Sequence, residues 1–215
     1  MTSLGKTSPL PPRLAILFLA AGEGSRLGST PKALLKKDGD SLLKRFCQTA
    51  QSLSFTQFIV VTGFHAQAIE SELASIVGDL CLPISLVSNP YPELGQSSSV
   101  RVGLEALKEN YDVLLISLCD QPNIGKKEIT ALLNQYEQRK SGTEIVMPMV
   151  GRQRGNPVLF SKKVIDSILA IPGLVCRPFM NDHPELVEIF STDNLAYIQD
   201  VDTAVDIFNL GLQRL

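Results

Sequence analysis

The chain has 215 residues, enough for one domain of ordinary size with a substantial core. A formal net charge of −2 and the absence of tryptophan argue against the basic, aromatic-rich surfaces of nucleic-acid binders, so no nucleic-acid partner is expected. The four cysteines form no C-x-x-C pair, which argues against a structural zinc site or a disulfide framework and fits a reduced, cytoplasmic protein.

The first twelve residues are rich in serine, threonine and proline, and we expect a flexible leader there, followed by a single domain over residues 13–215. The leader has a weakly basic start, and the next apolar run leads directly into a glycine-rich loop, unlike a secretory signal. Since no apolar run approaches the length of a membrane span, no membrane partner is expected.

The stretch from Leu14 to Leu35 organises the sequence. Its apolar run, residues 14–21, predicts a strand buried on both faces, as in a parallel sheet. Glycines at positions 22, 24 and 28 follow, with Arg26 and Lys32 beside them. Glycine lets a backbone turn sharply and approach a ligand closely, and free N–H groups beside basic side chains bind polyphosphates. We therefore predict a nucleoside triphosphate loop at the end of the first strand.

Three alternatives compete with a triphosphate loop. A plain strand-to-helix turn needs no ligand. A Rossmann dinucleotide loop has the spacing G-x-G-x-x-G and an acid after the second strand, whereas this loop reads G-x-G-x-x-x-G and the second strand precedes Gly63-Phe64-His65. A Walker loop joins Gly directly to Lys, but residues 29–31 separate Gly28 from Lys32, and Pro31 interrupts any helix. We therefore expect a long, basic, non-helical loop.

The loop resembles the signature of nucleotidyltransferases with a glycosyltransferase-A-like fold, and most of all their molybdenum cofactor cytidylyltransferase branch. The resemblance rests on Leu19-Ala20-Ala21-Gly22, on Gly24, Ser25, Arg26, Leu27 and Gly28, and on Pro31-Lys32. It implies a three-layer α/β/α fold with a mostly parallel, Rossmann-like central sheet. The nucleotide-binding residues it implies are Leu19, Ala20, Ala21, Gly22, Gly24, Ser25, Arg26 and Lys32, with Arg26 and Lys32 also catalytic.

Strands and helices alternate along the chain, which independently indicates a parallel α/β sheet. Hydrophobic periodicity predicts helices over 42–53, 66–76, 100–107, 126–139, 161–170 and from about 204 to 212. It predicts strands over 58–62, 83–88, 112–118, 144–149, 186–190 and 196–198, with residues 173–179 irregular.

A second unusual loop, residues 89–99, brings three serines to a helix predicted from Val100. One serine is enough to cap a helix, so capping alone would account for part of this pattern. A polar pocket for a base and a ribose is the other interpretation. The family resemblance favours it and implies that Gly95, Ser98 and Ser99 bind the nucleobase.

Asp120 follows the buried strand predicted over 112–118. Ligands of open α/β sheets bind beyond the carboxyl ends of strands, and Mg²⁺ takes one or two carboxylates together with substrate phosphates. Asp120 lies too far before the helix that begins near Lys126 to cap it. We therefore predict that Asp120 is a catalytic magnesium ligand; the resemblance agrees, because Asp-Gln-Pro after an apolar strand is the second hallmark of the family.

Two later segments complete the resemblance. In Asp200-Val201-Asp202-Thr203, either Asp202 or Thr203 could cap the last helix, whereas the family motif implies that Asp202 is the second metal ligand and that Asp206 supports the turn. Gly155-Asn156-Pro157 could belong to a solvated hairpin. The resemblance implies instead that Gly155, Asn156 and Pro157 bind the acceptor, with asparagine where the family can have histidine.

The resemblance implies one reaction: Mg²⁺-dependent transfer of CMP from CTP to the phosphate of molybdopterin, with release of pyrophosphate. It also implies a monomer or weak homodimer and a client molybdoenzyme as partner. A sugar-phosphate or polyol-phosphate nucleotidyltransferase would share the first loop. A non-catalytic nucleotide-binding regulator would be expected to lack a metal carboxylate. A nicotinamide oxidoreductase would need the missing acid after the second strand.

Overall fold

A computed structural model describes residues 12–108 and 110–214, so the predicted leader lies almost wholly outside the described residues. The strands are β1 (Leu14–Ala20), β2 (Lys36–Lys37), β3 (Asp40–Ser41), β4 (Phe55–Thr62), β5 (Ile84–Ser88), β6 (Val113–Leu118), β7 (Ile145–Val150), β8 (Gln153–Arg154), β9 (Val158–Ser161) and β10 (Val187–Ser191). The α-helices are α1 (Leu42–Gln51), α2 (Ala66–Leu80), α3 (Gln96–Glu105), α4 (Lys126–Glu137), α5 (Lys162–Leu169), α6 (Cys176–Asp182) and α7 (Ala204–Asn209).

The main sheet has the strand order β10-β7-β9-β6-β1-β4-β5, and β8 pairs with β7. β1 is an interior strand that pairs in parallel with β4 and β6, so all three strands end at the same edge. The strand β9 is antiparallel to both of its neighbours, and β8 is antiparallel to β7. The mostly parallel α/β sheet predicted from the sequence is therefore confirmed.

The sheet is the middle of three layers because β1 is buried on both faces. Ile16 and Phe18 face a core shared with α1, α2 and α4, where the Phe18 ring stacks on that of Phe46 with centroids 4.3 Å apart. Leu17 and Leu19 face the opposite core, shared with α3, α5 and α6. Alternation of side chains along a strand that is apolar at every position builds both cores at once.

Two predictions about the C-terminal third are wrong. Residues 196–198 form no strand: Leu195–Tyr197 is a single 3-10 turn, capped by the Asn194 side chain, and the Tyr197 hydroxyl donates to the Glu128 carbonyl at 2.8 Å. The segment over 173–179 is not wholly irregular, because α6 begins at Cys176. Pro178 falls in the first turn of α6, where a missing N–H costs no intrahelical hydrogen bond.

Smaller differences concern helix ends and the first loop; among them, α2 extends to Leu80 rather than Ile76. α3 begins at Gln96 rather than Val100, so the three serines lie inside its first turn. α7 ends at Asn209 rather than near residue 212. The loop after β1 is not wholly non-helical, since Ser25–Leu27 and Lys32–Leu34 form 3-10 turns. Across the ranges 12–108 and 110–214, no helix has both the length and the apolar character needed to cross a membrane.

Candidate active site

Polar residues gather beyond the carboxyl ends of β1 and β6. Leu19 and Leu118 are register partners, so the chain after each strand leaves the sheet at one place. The N–H of Val201 donates to the carbonyl of Asp120 at 2.9 Å, which brings the segment before α7 to the same edge. A cavity of about 450 Å³ opens there, and we call it the carboxylate cavity. Its walls comprise Leu19, Ala20, Ala21, Gly22, Glu23, Gly24, Lys32, Phe64, Pro92, Glu93, Gly95, Gln96, Ser99, Leu118, Cys119, Asp120, Asp200 and Asp202.

Lys32 joins the two predicted metal ligands. Its ammonium lies 3.0 Å from Asp120 Oδ2 and 2.6 Å from Asp202 Oδ1. The Arg26 guanidinium lies 3.1 Å from the other carboxylate oxygen of Asp202. Burial alone would lower the pKa of Lys32, but its hydrogen bonds and charge attraction to Asp120 and Asp202 outweigh burial and raise that pKa. Lys32 is therefore a permanent cation between two carboxylates.

The loop after β1 presents free backbone donors to the carboxylate cavity. In the part of the chain that the structure describes, the N–H groups of Gly22, Glu23 and Gly24 donate to no protein acceptor. Gly24 has φ +68°, and a Cβ there would lie 2.0 Å from the carbonyl oxygen of Thr30. Only glycine fits such a position, so the loop closes on itself and leaves its amides available to an anion.

Asp120 and Asp202 also fit a divalent cation. Asp120 Oδ1 is buried and has no hydrogen-bond partner among the described residues, an arrangement that costs free energy unless a ligand completes it. The described residues contain no cluster of three or more His, Cys, Asp or Glu that could hold a metal by themselves. Mg²⁺ needs no such cluster, because it takes one or two carboxylates and completes its shell with water and phosphate oxygens. These two aspartates could hold it together with a nucleotide.

Asp200 is a third carboxylate of the cavity, and sequence reasoning assigned it no role. Its Oδ1 accepts a hydrogen bond from Gln121 Nε2 at 2.9 Å. Partial burial, and then the nearby charge of Asp120, raise the pKa of Asp200 to about 6. The spacing Asp200-Val201-Asp202 was a usable signal, since alternate residues of an extended segment point to the same side.

A second cavity, of about 440 Å³, adjoins the first and shares Leu19, Gln96 and Leu118 with it. Its floor is apolar, its rim carries Arg154 and Arg177, and its lining includes no carboxylate; we call it the arginine-rimmed cavity. The lining comprises Leu19, Gln96, Ser97, Val100, Ile116, Leu118, Met147, Arg154, Gly155, Asn156, Val158, Phe160, Val175, Cys176, Arg177, Pro178 and Met180.

The predicted acceptor residues lie at this second cavity or next to it. Gly155 and Asn156 line it, and the buried Pro157 follows Asn156 through a cis peptide bond. Gly155 packs against the backbone of Tyr197, because a Cβ at Gly155 would lie 2.7 Å from the Tyr197 carbonyl oxygen. The Arg154 guanidinium is held by Asn181 Oδ1 at 2.7 Å.

Most of the predicted nucleotide residues line the carboxylate cavity, and three do not. Ser25 and Arg26 lie outside its lining, and Arg26 reaches the site through Asp202. Ser98 is also outside. Its hydroxyl lies within donating distance of two carbonyls, those of Tyr91 and Gly95, and it accepts a hydrogen bond from Asn89 Nδ2. Sequence reasoning did not identify Glu23, Phe64, Pro92, Glu93 or Gln96, which carry no motif of their own.

The cap of α7 is settled by hydrogen bonds. Thr203, not Asp202, caps α7, because its side chain accepts from the Asp206 N–H at 3.3 Å. Asp206 supports the turn as predicted, accepting from the N–H of Asp202 at 3.0 Å and of Thr203 at 2.7 Å. The Asp202 carboxylate is thus free to face Lys32. Burial, and then the charge of Asp120, raise the pKa of the Cys119 thiol, so this thiol is not activated as a nucleophile.

Comparison with known proteins adds a family to this geometry. A family model described as a MobA-like NTP transferase domain matches residues 16–185. Nicotine blue oxidoreductase of Paenarthrobacter nicotinovorans is 27% identical over 200 residues, which cover 90% of this chain and 94% of that protein. The bifunctional protein GlmU of Mycobacterium avium is 29% identical over 93% of this chain but only 38% of GlmU, so the chain spans well under half of that relative.

Solved structures share the fold along nearly the whole chain. A homologue of Mycobacterium tuberculosis Rv0371c, from Mycobacterium sp. strain JC1, has a TM-score of 0.70 at 25% identity and covers 94% of this chain and 96% of its own. The manganese complex of Rv0371c from M. tuberculosis H37Rv has a TM-score of 0.66 at 22% identity, over 92% of this chain and 97% of its own.

Proposed function

Because the chain belongs to the family of MobA-like NTP transferase domains and is a nucleotidyltransferase, we propose that it transfers CMP from CTP to the phosphate of molybdopterin, with release of pyrophosphate. One observation carries this proposal: Asp120 and Asp202, which are far apart in the sequence, meet at Lys32 opposite free backbone N–H groups. Such an arrangement suits a triphosphate with its cation, since it offers donors to phosphate oxygens and carboxylates to a metal.

Different residues of the carboxylate cavity and its loop would act on different parts of the triphosphate. The N–H groups of residues 22–24 would bind the β- and γ-phosphates, and Arg26 and Lys32 would balance the charge that develops as pyrophosphate leaves. Mg²⁺, held by Asp120 and Asp202 when bound, would neutralise phosphate charge and so favour attack on the α-phosphorus. The structurally similar Rv0371c has been solved in complex with manganese, which supports a divalent cation as a cofactor of this protein. Positioning and charge neutralisation suffice, so no covalent intermediate is required.

The second cavity supports a particular acceptor. Its shared wall with the carboxylate cavity would bring an acceptor phosphate beside the α-phosphate of CTP. Arg154 and Arg177 at the rim suit an anionic group, while the apolar floor suits the face of a flat ring system. A sugar or polyol phosphate would bury hydroxyl groups that need polar partners, and this floor offers few of them. These features favour molybdopterin over a sugar phosphate.

The test is pyrophosphate release with Mg²⁺, using CTP, GTP, ATP and UTP in turn against molybdopterin and a panel of sugar and polyol phosphates. We expect release with CTP and molybdopterin, and a loss of about a hundredfold or more in Asp120→Asn. Asp193→Asn, which changes an exposed aspartate outside both cavities, is the matched control and should behave as wild type. Release only with a sugar phosphate would replace the acceptor, and equal turnover by Asp120→Asn would overturn the assigned site.

The relative named nicotine blue oxidoreductase favours a second candidate, an oxidoreductase, because the similarity extends over 90% of this chain. A dinucleotide site of the Rossmann type uses an acid after the second strand of the parallel sheet along the chain. That strand is β4 in this protein, and residues 63–65 after it include no acid. The discriminating assay follows NADH and NADPH oxidation at 340 nm with nicotine blue as the acceptor. Turnover there, with no pyrophosphate release from any triphosphate, would replace the transferase proposal.

A further inference from the structure

The short segment after β4, residues 63–65, packs against the triphosphate loop. Gly63 lies so close that a Cβ would be 2.7 Å from the carbonyl oxygen of Ala21. The N–H of Phe64 points to that same carbonyl at 3.4 Å. The His65 ring nitrogen Nε2 lies 2.7 Å from the carbonyl oxygen of Glu23, in the middle of the loop. From these contacts, and resting on the proposed function, we infer that His65 is a positioning residue for the triphosphate.

The position of His65 in its own helix gives an independent reason. His65 is the N-cap residue of α2, yet its side chain makes no capping hydrogen bond there. Serine, threonine, aspartate and asparagine are the residues that stabilise a helix as its N-cap. A histidine at this position that makes no capping hydrogen bond does not stabilise α2 in this way. Its ring instead reaches a carbonyl 42 positions earlier in the chain.

The peptide group between Glu23 and Gly24 explains what the contact does. This peptide is trans, since Asn156–Pro157 is the cis bond found in the described chain, and in a trans peptide the C=O and the next N–H point in opposite directions. A Glu23 carbonyl held by His65 therefore directs the Gly24 N–H away from His65. Glu23 and Gly24 line the carboxylate cavity, whereas His65 does not.

Gly24 needs such a restraint because glycine adopts several backbone conformations with similar ease. Without a partner for the Glu23 carbonyl, the Glu23–Gly24 peptide could rotate and turn its donor away from the phosphates. The His65 ring can donate to the Glu23 carbonyl as the imidazolium or as the neutral tautomer protonated on Nε2, because both carry a proton on Nε2. His65 thus acts through the loop and touches neither the nucleotide nor the metal.

The test compares His65→Leu, which removes the donor, with His65→Gln, which keeps an N–H donor of similar reach. His183→Leu is the matched control, because His183 is the other histidine of the chain and its ring contacts Phe179 and Glu185 instead. Dissociation constants for CTP and CMP are measured by calorimetry with Mg²⁺ and no acceptor. We expect His65→Leu to weaken CTP about tenfold and CMP less than about twofold, with His65→Gln within about threefold of wild type.

A general structural defect would weaken CTP and CMP alike, so an equal loss of both, or no loss of either, overturns the role of His65. If the wild-type protein binds none of CTP, GTP, ATP and UTP, the proposed function itself fails. If the wild type binds CTP and only the expected effect of His65→Leu is missing, the role of His65 fails alone. Nitrogen-15 NMR of the wild-type imidazole needs no variant to fold. It should find a proton on Nε2, and a ring protonated only on Nδ1 would overturn the inference, because such a ring cannot donate to Glu23.

Discussion

The side-chain amide of Gln121 donates to the main-chain carbonyl of Tyr197 at 3.0 Å. The N–H of Asn156 donates to the same carbonyl at 2.9 Å. Gln121 follows Asp120, and Asp120 lines the carboxylate cavity, while Asn156 lines the arginine-rimmed cavity. One carbonyl oxygen therefore fixes the positions of the two cavities relative to each other, although the segments that form them lie far apart in the sequence.

Gln121→Met tests this junction, because methionine keeps the length and volume of the side chain and removes its donors. The variant loses the hydrogen bonds to Tyr197 and to Asp200, and we expect a fall of about 1–2 kcal/mol in the free energy of unfolding. Urea denaturation measures this change. Gln67→Met, at an exposed position of α2, is the control and should unfold as wild type does. Equal stability of the two variants would show that the junction contributes nothing.

Gly24→Ala and Gly28→Ala separate backbone strain from steric conflict. Both glycines have positive φ, +68° and +71°, but a Cβ at Gly24 would lie 2.0 Å from the Thr30 oxygen, whereas a Cβ at Gly28 meets nothing within 4 Å. Gly28→Ala should cost about 1–2 kcal/mol in unfolding free energy, the usual penalty of the left-handed conformation. Gly24→Ala should cost more and should also lose CTP binding, as calorimetry would measure. Equal effects would mean that the loop moves to relieve the conflict.

The general fold was predictable because its signals are local. The apolar run of β1 specifies a strand buried on both faces, and the alternation of strands and helices specifies a parallel sheet. The family, the α/β architecture and the transferase class are confirmed by the family match and the observed sheet. Residues 196–198 show the limit of this reasoning: a short apolar run has no reliable period, and here Tyr197 is buried through a turn.

The predicted site was incomplete for a different reason. Asp120, Asp202 and Lys32 were identified because each belongs to a motif, but the contacts of His65 and Gln121 depend on which distant carbonyl faces each side chain. The His65 ring reaches Glu23 and the Gln121 amide reaches Tyr197, and neither pairing has a sequence period. Such long-range hydrogen bonds follow only from the packed fold.

Asp200 provides a prediction about pH. Its pKa is raised from 3.8 to about 6 by partial burial and by the charge of Asp120, so Asp120→Asn should lower it. Between about pH 4 and pH 6 the folded protein keeps the Asp200 proton while the unfolded chain releases it, so this group lowers stability as pH rises through that window. Asp200→Asn should therefore gain stability relative to wild type over the same window. Carbon-13 NMR of the metal-free protein measures the pKa, and a value unchanged by Asp120→Asn would exclude the charge as a cause.

Lys32→Met should change metal binding and turnover in opposite directions. The Lys32 ammonium now occupies Asp120 Oδ2 and Asp202 Oδ1, at 3.0 and 2.6 Å, so it competes with any divalent cation for the same oxygens. Removing it leaves Asp120 without its cation and Asp202 with Arg26 alone, which should raise the attraction of the two carboxylates for Mn²⁺ by about tenfold. Turnover should nevertheless fall about a hundredfold or more, because Lys32 also balances charge on the leaving pyrophosphate.

Electron paramagnetic resonance of free Mn²⁺ measures the affinity, and pyrophosphate release measures the rate. Lys126→Met, which removes an exposed lysine outside both cavities, is the matched control and should alter neither quantity. Weaker Mn²⁺ binding by Lys32→Met would mean that the lysine organises the two carboxylates rather than competing for them. Unchanged turnover would mean that the charge on the leaving group is balanced elsewhere, with Arg26 beside Asp202 as the nearest remaining cation to examine.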